Sequence, residues 1–282
     1  MILFTSTSLN LHYLNAALQN IGEKSGIIIP NTVLFDNLYQ TKPKYLFMHS
    51  SDINDEFSLA KDTFTDTKFI VYNDDIDNEH IVEKFNPDLL LYHKDIKPST
   101  TVKSLELKGF ADAISFGRGF IKSNMKSDIF YLSDCSLENR LYINDVCENL
   151  LSLPYKFIIC GNVNIGLPNY LGGINFEDVP HFFSSTKINI DFDQTTMYNS
   201  AINQTFALSN KENELFPSFN DNNLEELLNK FVKDEKSRRN IIKKAYKKVI
   251  SKDTSFHRIH EIGKILKANW IDKSYEKIRH IN

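Results

Sequence analysis

The sequence has 282 residues, of which 41% are hydrophobic and 24% are charged, so it is long enough for two packed domains of ordinary size. Its net charge of −3 argues against a general affinity for nucleic acid. No apolar run approaches the ~20 residues that cross a bilayer, and the first residues lack the basic stretch of a secretory signal. The three cysteines have no metal-ligand spacing. We therefore expect a cytoplasmic protein without a membrane span.

The charge is unevenly distributed along the chain. Residues 229–282 hold 16 Lys or Arg against 6 Asp or Glu, whereas the remainder holds 17 against 30. Two interpretations stay open. The basic residues either coat the solvent face of C-terminal helices or mark a surface for an anionic partner.

The first half of the chain alternates apolar runs with helical patterns. Residues 1–4 are an apolar run, and apolar residues at helical spacing follow as far as Gly22. SGIIIP is the next predicted strand. Three later runs are continuous rather than alternating, and each turns polar at its carboxyl end: KYLFMHSS, KFIVYNDD and DLLLYHKD. DAISFG, residues 112–117, is a candidate for the last strand. This pattern is typical of a parallel sheet covered on both faces.

A second α/β series begins near Asp128. Its predicted strands are IFYLSD, KFIICG and TKINIDF, separated by helical patterns, and basic helices close the chain. The sequence therefore predicts an α/β protein with two Rossmann-like parallel-sheet domains facing each other across a cleft, followed by C-terminal helices. We place the first domain at residues 1–127, the second at 128–268, and a terminal helix or tail, able to pack back on the first domain, at 269–282.

Several segments of the second half carry a family resemblance. In order, they are KFIICGN, GLPNYLGGINFEDVPHFFSS, TKINIDF and MYNSAINQTFALS, followed by a terminal signature at Thr254, Ser255, Phe256, His257 and Arg258. These segments resemble the nucleotide-binding domain of GT-B glycosyltransferases, in the group 1 branch that includes spore-maturation-protein-like transferases. The resemblance covers roughly residues 128–268. In that family the terminal signature more often tethers the last helix than performs chemistry.

The resemblance implies a transferase. It would move a sugar from a nucleoside diphosphate sugar, with a UDP-sugar favoured, to a hydroxyl acceptor, and it would use neither a further cofactor nor a metal. The implied acceptor is a glycan or a small saccharide. Hydroxymethylated DNA is an alternative, because viral DNA glucosyltransferases are also compact GT-B proteins and residues 229–282 are basic.

The implied donor site lies in the second half. Gly161 and Asn162 follow a buried strand, where a glycine lets the backbone approach a ligand, although a tight strand-to-helix turn needs one equally. A helix beginning after Asp193 would offer its amides to the diphosphate. The donor-binding candidates are Gly161, Asn162, Thr195, Thr196, Met197, Asn199 and Arg118.

Two positions depart from the family pattern. Asn199 stands where a ribose-binding glutamate is common, and Asn203 stands where a glycine is usual. These departures support a second hypothesis, a non-catalytic nucleotide-sugar-binding module with a degenerate GT-B fold. An epimerase of the same fold is a third.

Three residues of the first half are candidates for the catalytic base. His12 is the first choice, because this loop often supplies a histidine or an acid in GT-B transferases, and imidazole suits proton transfer near neutral pH. His49 and Asp74 end predicted strands and should lie at the carboxyl edge of the sheet. Asp74 and Asp75 together could instead hold a divalent metal or form a solvated turn.

Overall fold

The computed structural model describes residues 1–5, 8–29, 34–93, 96, 102–117, 119–133, 140–161, 163–192 and 195–281. The chain divides into two compact units. Unit 1 combines Met1–Lys108 with Ser255–Asn282, and unit 2 is Gly109–Thr254.

Unit 1 is built on a sheet of six parallel strands in the order β2-β1-β3-β4-β5-β6. The strands are β1 (Ile2–Thr5), β2 (Ser25–Ile28), β3 (Tyr45–His49), β4 (Lys68–Asn73), β5 (Leu89–Tyr92) and β6 (Ser104–Glu106). The helices of the first 108 residues are α1 (Leu9–Asn20), α2 (Leu34–Thr41), α3 (Asp55–Thr63) and α4 (Glu79–Phe85). Short 3₁₀ turns follow β3 at Ser50–Asp52 and β4 at Ile76–Asn78.

Both faces of this sheet are covered, as its continuous apolar runs predict. Side chains alternate between the two faces of a strand, so Leu46 and Met48 share one face and Tyr45 and Phe47 the other. The first pair lies in a buried cluster with residues of α2, α3 and α4. On the second face, Phe47 stacks on β1 and Tyr45 meets the buried ring of Trp270 at a centroid distance of 5.0 Å.

Two C-terminal helices complete unit 1: α10 (Ser255–Leu266) and α11 (Ile271–Ile281). The α10 helix packs on α1. Arg258 is buried, and its Nε donates to the carbonyl of Lys108 at 3.1 Å while its guanidinium pairs with Glu261 at 3.1 Å. Arg258, the last residue of the predicted signature, thus bonds α10 to the segment that follows β6. This is the tethering role expected of the signature.

Unit 2 contains a sheet of four parallel strands in the order β10-β9-β7-β8. The strands are β7 (Ser127–Leu132), β8 (Phe157–Cys160), β9 (Thr186–Asp191) and β10 (Ala207–Ser209). The helices are α5 (Arg140–Leu151), α6 (Val179–Ser185), α7 (Thr195–Ile202), α8 (Leu224–Lys233) and α9 (Glu235–Lys252).

The compact units end at other residues than the predicted domains, which were divided at 127/128 and 268/269. Residues 109–126 belong to unit 2, where the Ala111 N–H donates to the carbonyl of Asp253 at 2.9 Å. The α10 helix belongs to unit 1 because its apolar face packs on α1. These associations join segments that are distant in sequence, and a linear pattern does not reveal them.

One predicted strand is wrong. DAISFG, residues 112–117, forms a turn, in which the Asp112 carboxylate accepts the N–H of Ile114 at 3.0 Å and its carbonyl accepts the N–H of Phe116 at 3.1 Å. The last strand of the first sheet is instead β6, at Ser104–Glu106. An aspartate able to bond the backbone two residues ahead favours a turn over a strand. In the described part of the chain, no helix is long and apolar enough to cross a membrane.

Candidate functional site

Two predicted base candidates meet at the carboxyl edge of the first sheet. β3 ends at His49, and Asp74 follows directly after β4. The two strands are adjacent and parallel, with His49 in register with Tyr72. His49 Nε2 lies 2.8 Å from Asp74 Oδ1. The imidazole is 14% exposed and the carboxylate 41% exposed, so the carboxylate is the more accessible member of the pair.

The local backbone fixes the orientation and the tautomer of His49. Its Nδ1 accepts the N–H of Ser51 at 3.2 Å and lies 2.7 Å from the Ser51 hydroxyl. A ring nitrogen that accepts from an N–H carries no proton in the neutral imidazole, so the proton resides on Nε2 and is donated to Asp74. In return, the Asp52 carboxylate accepts the N–H of His49 at 3.2 Å.

The buried side chain of Tyr72 packs against His49 of this pair. The Tyr72 ring meets the His49 ring edge-on at a centroid distance of 5.7 Å. Asn10, in the first turn of α1, donates to the Tyr72 hydroxyl at 2.9 Å. Burial, and then the negative charge of Asp74, raise the pKa of Tyr72 well above its ordinary value. Tyr72 is therefore a neutral hydrogen-bond donor throughout the physiological pH range.

Asp74 is held in its charged form. Burial alone would raise the pKa of Asp74, but the hydrogen bonds that its carboxylate accepts from His49 and Tyr72 outweigh the effect of burial, so the pKa lies below its ordinary value. Asp74 is therefore a partly exposed carboxylate that accepts hydrogen bonds from two less exposed side chains, His49 and Tyr72. Such a group can orient a substrate hydroxyl and accept its proton when the oxygen attacks.

The neighbouring Asp75 has a different role. Its Oδ1 accepts the N–H of Asp77 at 2.9 Å and its Oδ2 accepts from the Asn78 side chain at 3.3 Å, so it caps the 3₁₀ turn that follows. The two carboxylates therefore do not form one ligand pair. Within the described ranges, no three His, Cys, Asp or Glu side chains are grouped in a way that could hold a metal ion.

His12 lies on the second turn of α1 and is half-buried. Its N–H donates to the carbonyl of Ser8 at 3.2 Å as part of the helix. Its role as a base stays a prediction.

In unit 2, Gly161 has an internal reason to be glycine. Its φ is +143°, and an added Cβ would lie 2.7 Å from the backbone of Ser133. Its N–H donates to the carbonyl of Gly172 at 3.2 Å, and its carbonyl accepts from the Tyr170 hydroxyl at 2.6 Å. Close packing between two chain segments therefore accounts for this glycine, and its amide is already engaged.

The side chains predicted at the start of α7 point into unit 2. Thr196, Met197 and Asn199 are all buried. The side-chain oxygen of Asn199 accepts the N–H of Asp112 at 3.2 Å. Contacts of these three buried side chains with a donor stay predictions.

The remaining predicted donor contacts lie outside the described residues: Arg118, Asn162 and the side chain of Thr195.

Asn203, where the resemblance led us to expect a glycine, is a structural clamp. Its Nδ2 donates to the carbonyls of Gly117 at 2.9 Å and Pro180 at 3.2 Å. Its Oδ1 accepts from the Ser184 hydroxyl at 2.8 Å. The side chain thus joins three segments of unit 2, an arrangement that glycine could not provide.

Sequence reasoning missed Tyr72, Asn10 and Ser51. Tyr72 was hidden inside an apolar run, where an aromatic residue normally indicates core packing. The available signal was register: residues at the same height on adjacent parallel strands meet at one edge, so His49 and the end of KFIVYN could have been paired.

No protein-family model matches the sequence, and no curated protein matches it either. Solved structures match the fold. The S. aureus MnaA–UDP structure gives a TM-score of 0.55 at 10% identity, over 95% of this chain and 96% of that one. A Listeria monocytogenes protein assigned as a UDP-N-acetylglucosamine 2-epimerase gives 0.55 at 9% identity, over 98% and 96%. The Streptomyces sp. SF2575 glycosyltransferase SsfS6, complexed with thymidine diphosphate, gives 0.50 at 10% identity, over 93% and 99%.

At these identities the likeness concerns the fold. The six-stranded and four-stranded parallel sheets with C-terminal helices match these neighbours and confirm the predicted α/β fold class of GT-B proteins.

Proposed function

We propose that this protein is a glycosyltransferase that moves a sugar from a nucleoside diphosphate sugar to a hydroxyl acceptor. The observation that carries the proposal is the partly exposed Asp74 carboxylate bound to the fixed Nε2–H of His49 at the carboxyl edge of the first sheet. Edges of this kind are where open parallel sheets bind ligands. The fold neighbours, which include a glycosyltransferase bound to thymidine diphosphate, support the same class of reaction.

The proposed reaction is a single displacement. The acceptor hydroxyl oxygen forms a bond to the anomeric carbon, and the bond from that carbon to the diphosphate oxygen breaks, so the nucleoside diphosphate leaves with the electron pair. The hydroxyl proton passes to Asp74 and then to solvent. His49 is a positioning residue here, because it orients the carboxylate and stabilises its charge. This assignment replaces His12 as the first choice for the base.

Donor binding is proposed for unit 2, at the turn after β8 and the start of α7. The backbone amides at a helix start favour a diphosphate through their unpaired N–H groups and the helix dipole. A pyrimidine donor, with UDP-sugar first, is supported by the nucleotides named in two neighbours. Membership of the spore-maturation-protein-like branch stays part of this proposal.

The proposed reaction needs no divalent metal. The motive is that Asp75, the potential second carboxylate ligand beside Asp74, is occupied as a cap. Turnover should therefore be unchanged after treatment with EDTA, whereas loss of turnover that Mg²⁺ or Mn²⁺ restores would contradict this part.

An epimerase is the second candidate, favoured by the Listeria neighbour assigned as a UDP-N-acetylglucosamine 2-epimerase. The experiment that separates the candidates has two readouts. A thermal-shift screen against UDP-, GDP-, ADP- and CMP-sugars identifies the donor, since a ligand at about 100 times its Kd adds about 2.7 kcal/mol to the free energy of unfolding. Product analysis with the donor found then follows.

We expect release of nucleoside diphosphate that depends on a saccharide acceptor. Conversion of the donor to its 2-epimer without an acceptor would establish the epimerase instead. A thermal shift without either product would support the non-catalytic module.

The acceptor class has a second candidate. In α9, 8 of 18 residues are Lys or Arg, and only Glu235 is acidic. Arg239 pairs with Glu235 at 2.6 Å, whereas Lys236, Lys243 and Lys247 lie exposed on one face. This face supports hydroxymethylated DNA as the acceptor, because lysines bind the phosphates of a DNA duplex whatever its sequence.

Electrophoretic shift with duplex DNA at low and high salt tests this acceptor. Binding that weakens steeply with salt and is abolished by Lys236→Glu with Lys243→Glu would support DNA. Absence of a shift at low salt would leave a glycan or small saccharide as the proposed acceptor.

A further inference from the structure

The segment at residues 119–122 of unit 2 is fastened along α6. The N–H of Phe120 donates to His181 Nδ1 at 2.9 Å, and the N–H of Lys122 donates to the Ser185 hydroxyl at 2.9 Å. The Lys122 ammonium also pairs with Asp178 at 3.0 Å. The backbone of this short segment is therefore held at both ends.

Its two large apolar side chains nevertheless project into solvent. Phe120 is 78% exposed and Ile121 is 65% exposed. Gly119 lies so close to α6 that an added Cβ would be 2.3 Å from the Pro180 carbonyl oxygen, so the backbone of the segment is in close contact with α6. Exposure of two adjacent large apolar residues on a fixed backbone is a feature of binding surfaces.

Three lysines share a cavity with Ile121 of this apolar pair. Ile121 lines a cavity of about 410 Å³ at the amino ends of β7 and β9, together with Lys126, Lys156 and Lys187. Lys187 pairs with Asp128 at 2.6 Å. Asp128 lines the same cavity and also accepts the backbone N–H of Lys156 at 3.0 Å. Three lysines thus share the cavity with one carboxylate, so this surface combines an exposed apolar pair with an excess of positive charge. We call these five residues, Phe120, Ile121, Lys126, Lys156 and Lys187, the amino-edge surface.

We propose that the amino-edge surface docks on an anionic phospholipid bilayer. A bilayer presents phosphates in one layer and acyl chains directly beneath it, which matches two adjacent exposed apolar side chains, one of which shares a cavity with three lysines. A small free anion would use the lysines and leave Phe120 and Ile121 in water. A protein partner would need an apolar recess with an acidic rim. The bilayer satisfies both features of the surface. This proposal does not depend on the reaction proposed above.

Vesicle sedimentation tests the proposal on the full chain. Vesicles of phosphatidylcholine with about one third phosphatidylglycerol should carry the protein into the pellet, and vesicles of phosphatidylcholine alone should carry at least tenfold less. Raising the salt concentration should weaken the binding, because ammonium–phosphate attraction is screened.

Two pairs of variants separate the apolar and ionic parts. Phe120→Ser with Ile121→Ser, and separately Lys126→Glu with Lys156→Glu, should each reduce binding about tenfold or more. The matched controls are Leu59→Ser, an exposed apolar residue on α3, and Lys42→Glu with Lys103→Glu, two exposed lysines of unit 1. The controls should bind as the unaltered protein does, and thermal unfolding should show that all variants fold.

A fluorescence probe reports insertion directly. The single tryptophan, Trp270, is fully buried, so its emission supplies a constant background. In Phe120→Trp, the emission should shift to shorter wavelength on the anionic vesicles, and lipids with brominated acyl chains should quench it.

Three results would overturn the proposal. The first is equal binding to neutral and anionic vesicles. The second is binding of soluble glycerol phosphate as tight as binding to vesicles, which would make the surface a simple anion site. The third is dimerisation in sedimentation velocity that is lost in Phe120→Ser with Ile121→Ser, without vesicle binding, which would make the occupant a second copy of the chain.

Discussion

Two regions look alike in sequence: the carboxyl edge of the first sheet and the start of α7 in unit 2. In both, polar residues come after an apolar strand. Their side chains behave differently. At the first sheet, His49 and Asp74 bond to each other and the carboxylate remains 41% exposed. At α7, Asn199 bonds to Asp112 and is buried.

The contrast shows that a polar residue after a strand is not by itself a ligand-binding residue. It contributes to chemistry only if its bonds leave it accessible. In unit 2 the polar groups are used to fasten segments to one another, since Asn199 and Asn203 both bond to the 109–117 region. In unit 1 the polar groups fix one carboxylate and leave it facing solvent.

The largest predicted effect tests the accessible carboxylate. Asp74→Asn should lower transferase turnover by about 10²- to 10⁴-fold, because it removes the proposed proton acceptor while keeping the size of the side chain. Donor binding, measured by thermal shift, should be unchanged, since we propose that the donor binds to unit 2.

The matched control for this substitution is Asp75→Asn. Asparagine caps a helical turn as well as aspartate does, so turnover should stay within about twofold. Equal loss in both variants would show that charge at this edge matters rather than a specific base. Full activity of Asp74→Asn, with loss in His12→Ala, would restore His12 as the base.

The second prediction tests the packed glycine of unit 2. Gly161→Ala should lower the free energy of unfolding by about 2–4 kcal/mol, because its Cβ would collide with the Ser133 backbone at a φ of +143°. Gly166 also has a positive φ, +80°, but has open space around it. Gly166→Ala should therefore cost only about 1–2 kcal/mol.

Chemical denaturation measures both values, and Gly173→Ala, also in open space, serves as the neutral reference. Equal destabilisation by Gly161→Ala and Gly166→Ala would mean that close packing against Ser133 is not what requires the glycine at 161.

A smaller effect on turnover is expected from substitution of Tyr72, which packs against His49. Tyr72→Phe removes the hydroxyl that bonds to Asn10 and Asp74, so turnover should fall by about 2- to 10-fold. Because that hydrogen bond lowers the pKa of Asp74, the acidic limb of the rate–pH profile should move to higher pH. An unchanged limb would show that Tyr72 serves only in packing.

The smallest effect concerns stability against pH. The folded pKa of Asp74 lies below its value in the unfolded chain, which is about 3.9, so its pairing stabilises the fold above that pH. The contribution is lost as the pH falls through the folded pKa. The difference in melting temperature between the unaltered protein and Asp74→Asn should therefore shrink below about pH 4. A constant difference down to pH 2 would contradict the pairing.

Much of the fold follows from the sequence because its signals are local. Continuous apolar runs such as KYLFMH and KFIVYN indicate buried parallel strands, and both are strands of the structure. Polar ends of adjacent strands indicate one edge, which is why His49 and Asp74 could be named in advance. Where a local signal was ambiguous, as in DAISFG, the prediction was wrong.

Only the tertiary structure decided which polar groups are buried in hydrogen bonds within the protein and which remain accessible. Gly161, Asn199 and Asn203 contact Ser133, Asp112 and Gly117, which lie 28, 87 and 86 positions away in the chain, and no local pattern encodes such partners. The assignment of α10 to unit 1 has the same cause, since it depends on contact with α1. Sequence fixes which segments become strands and helices through nearby side chains. Burial and hydrogen bonding between distant segments then determine which of their residues are left to act.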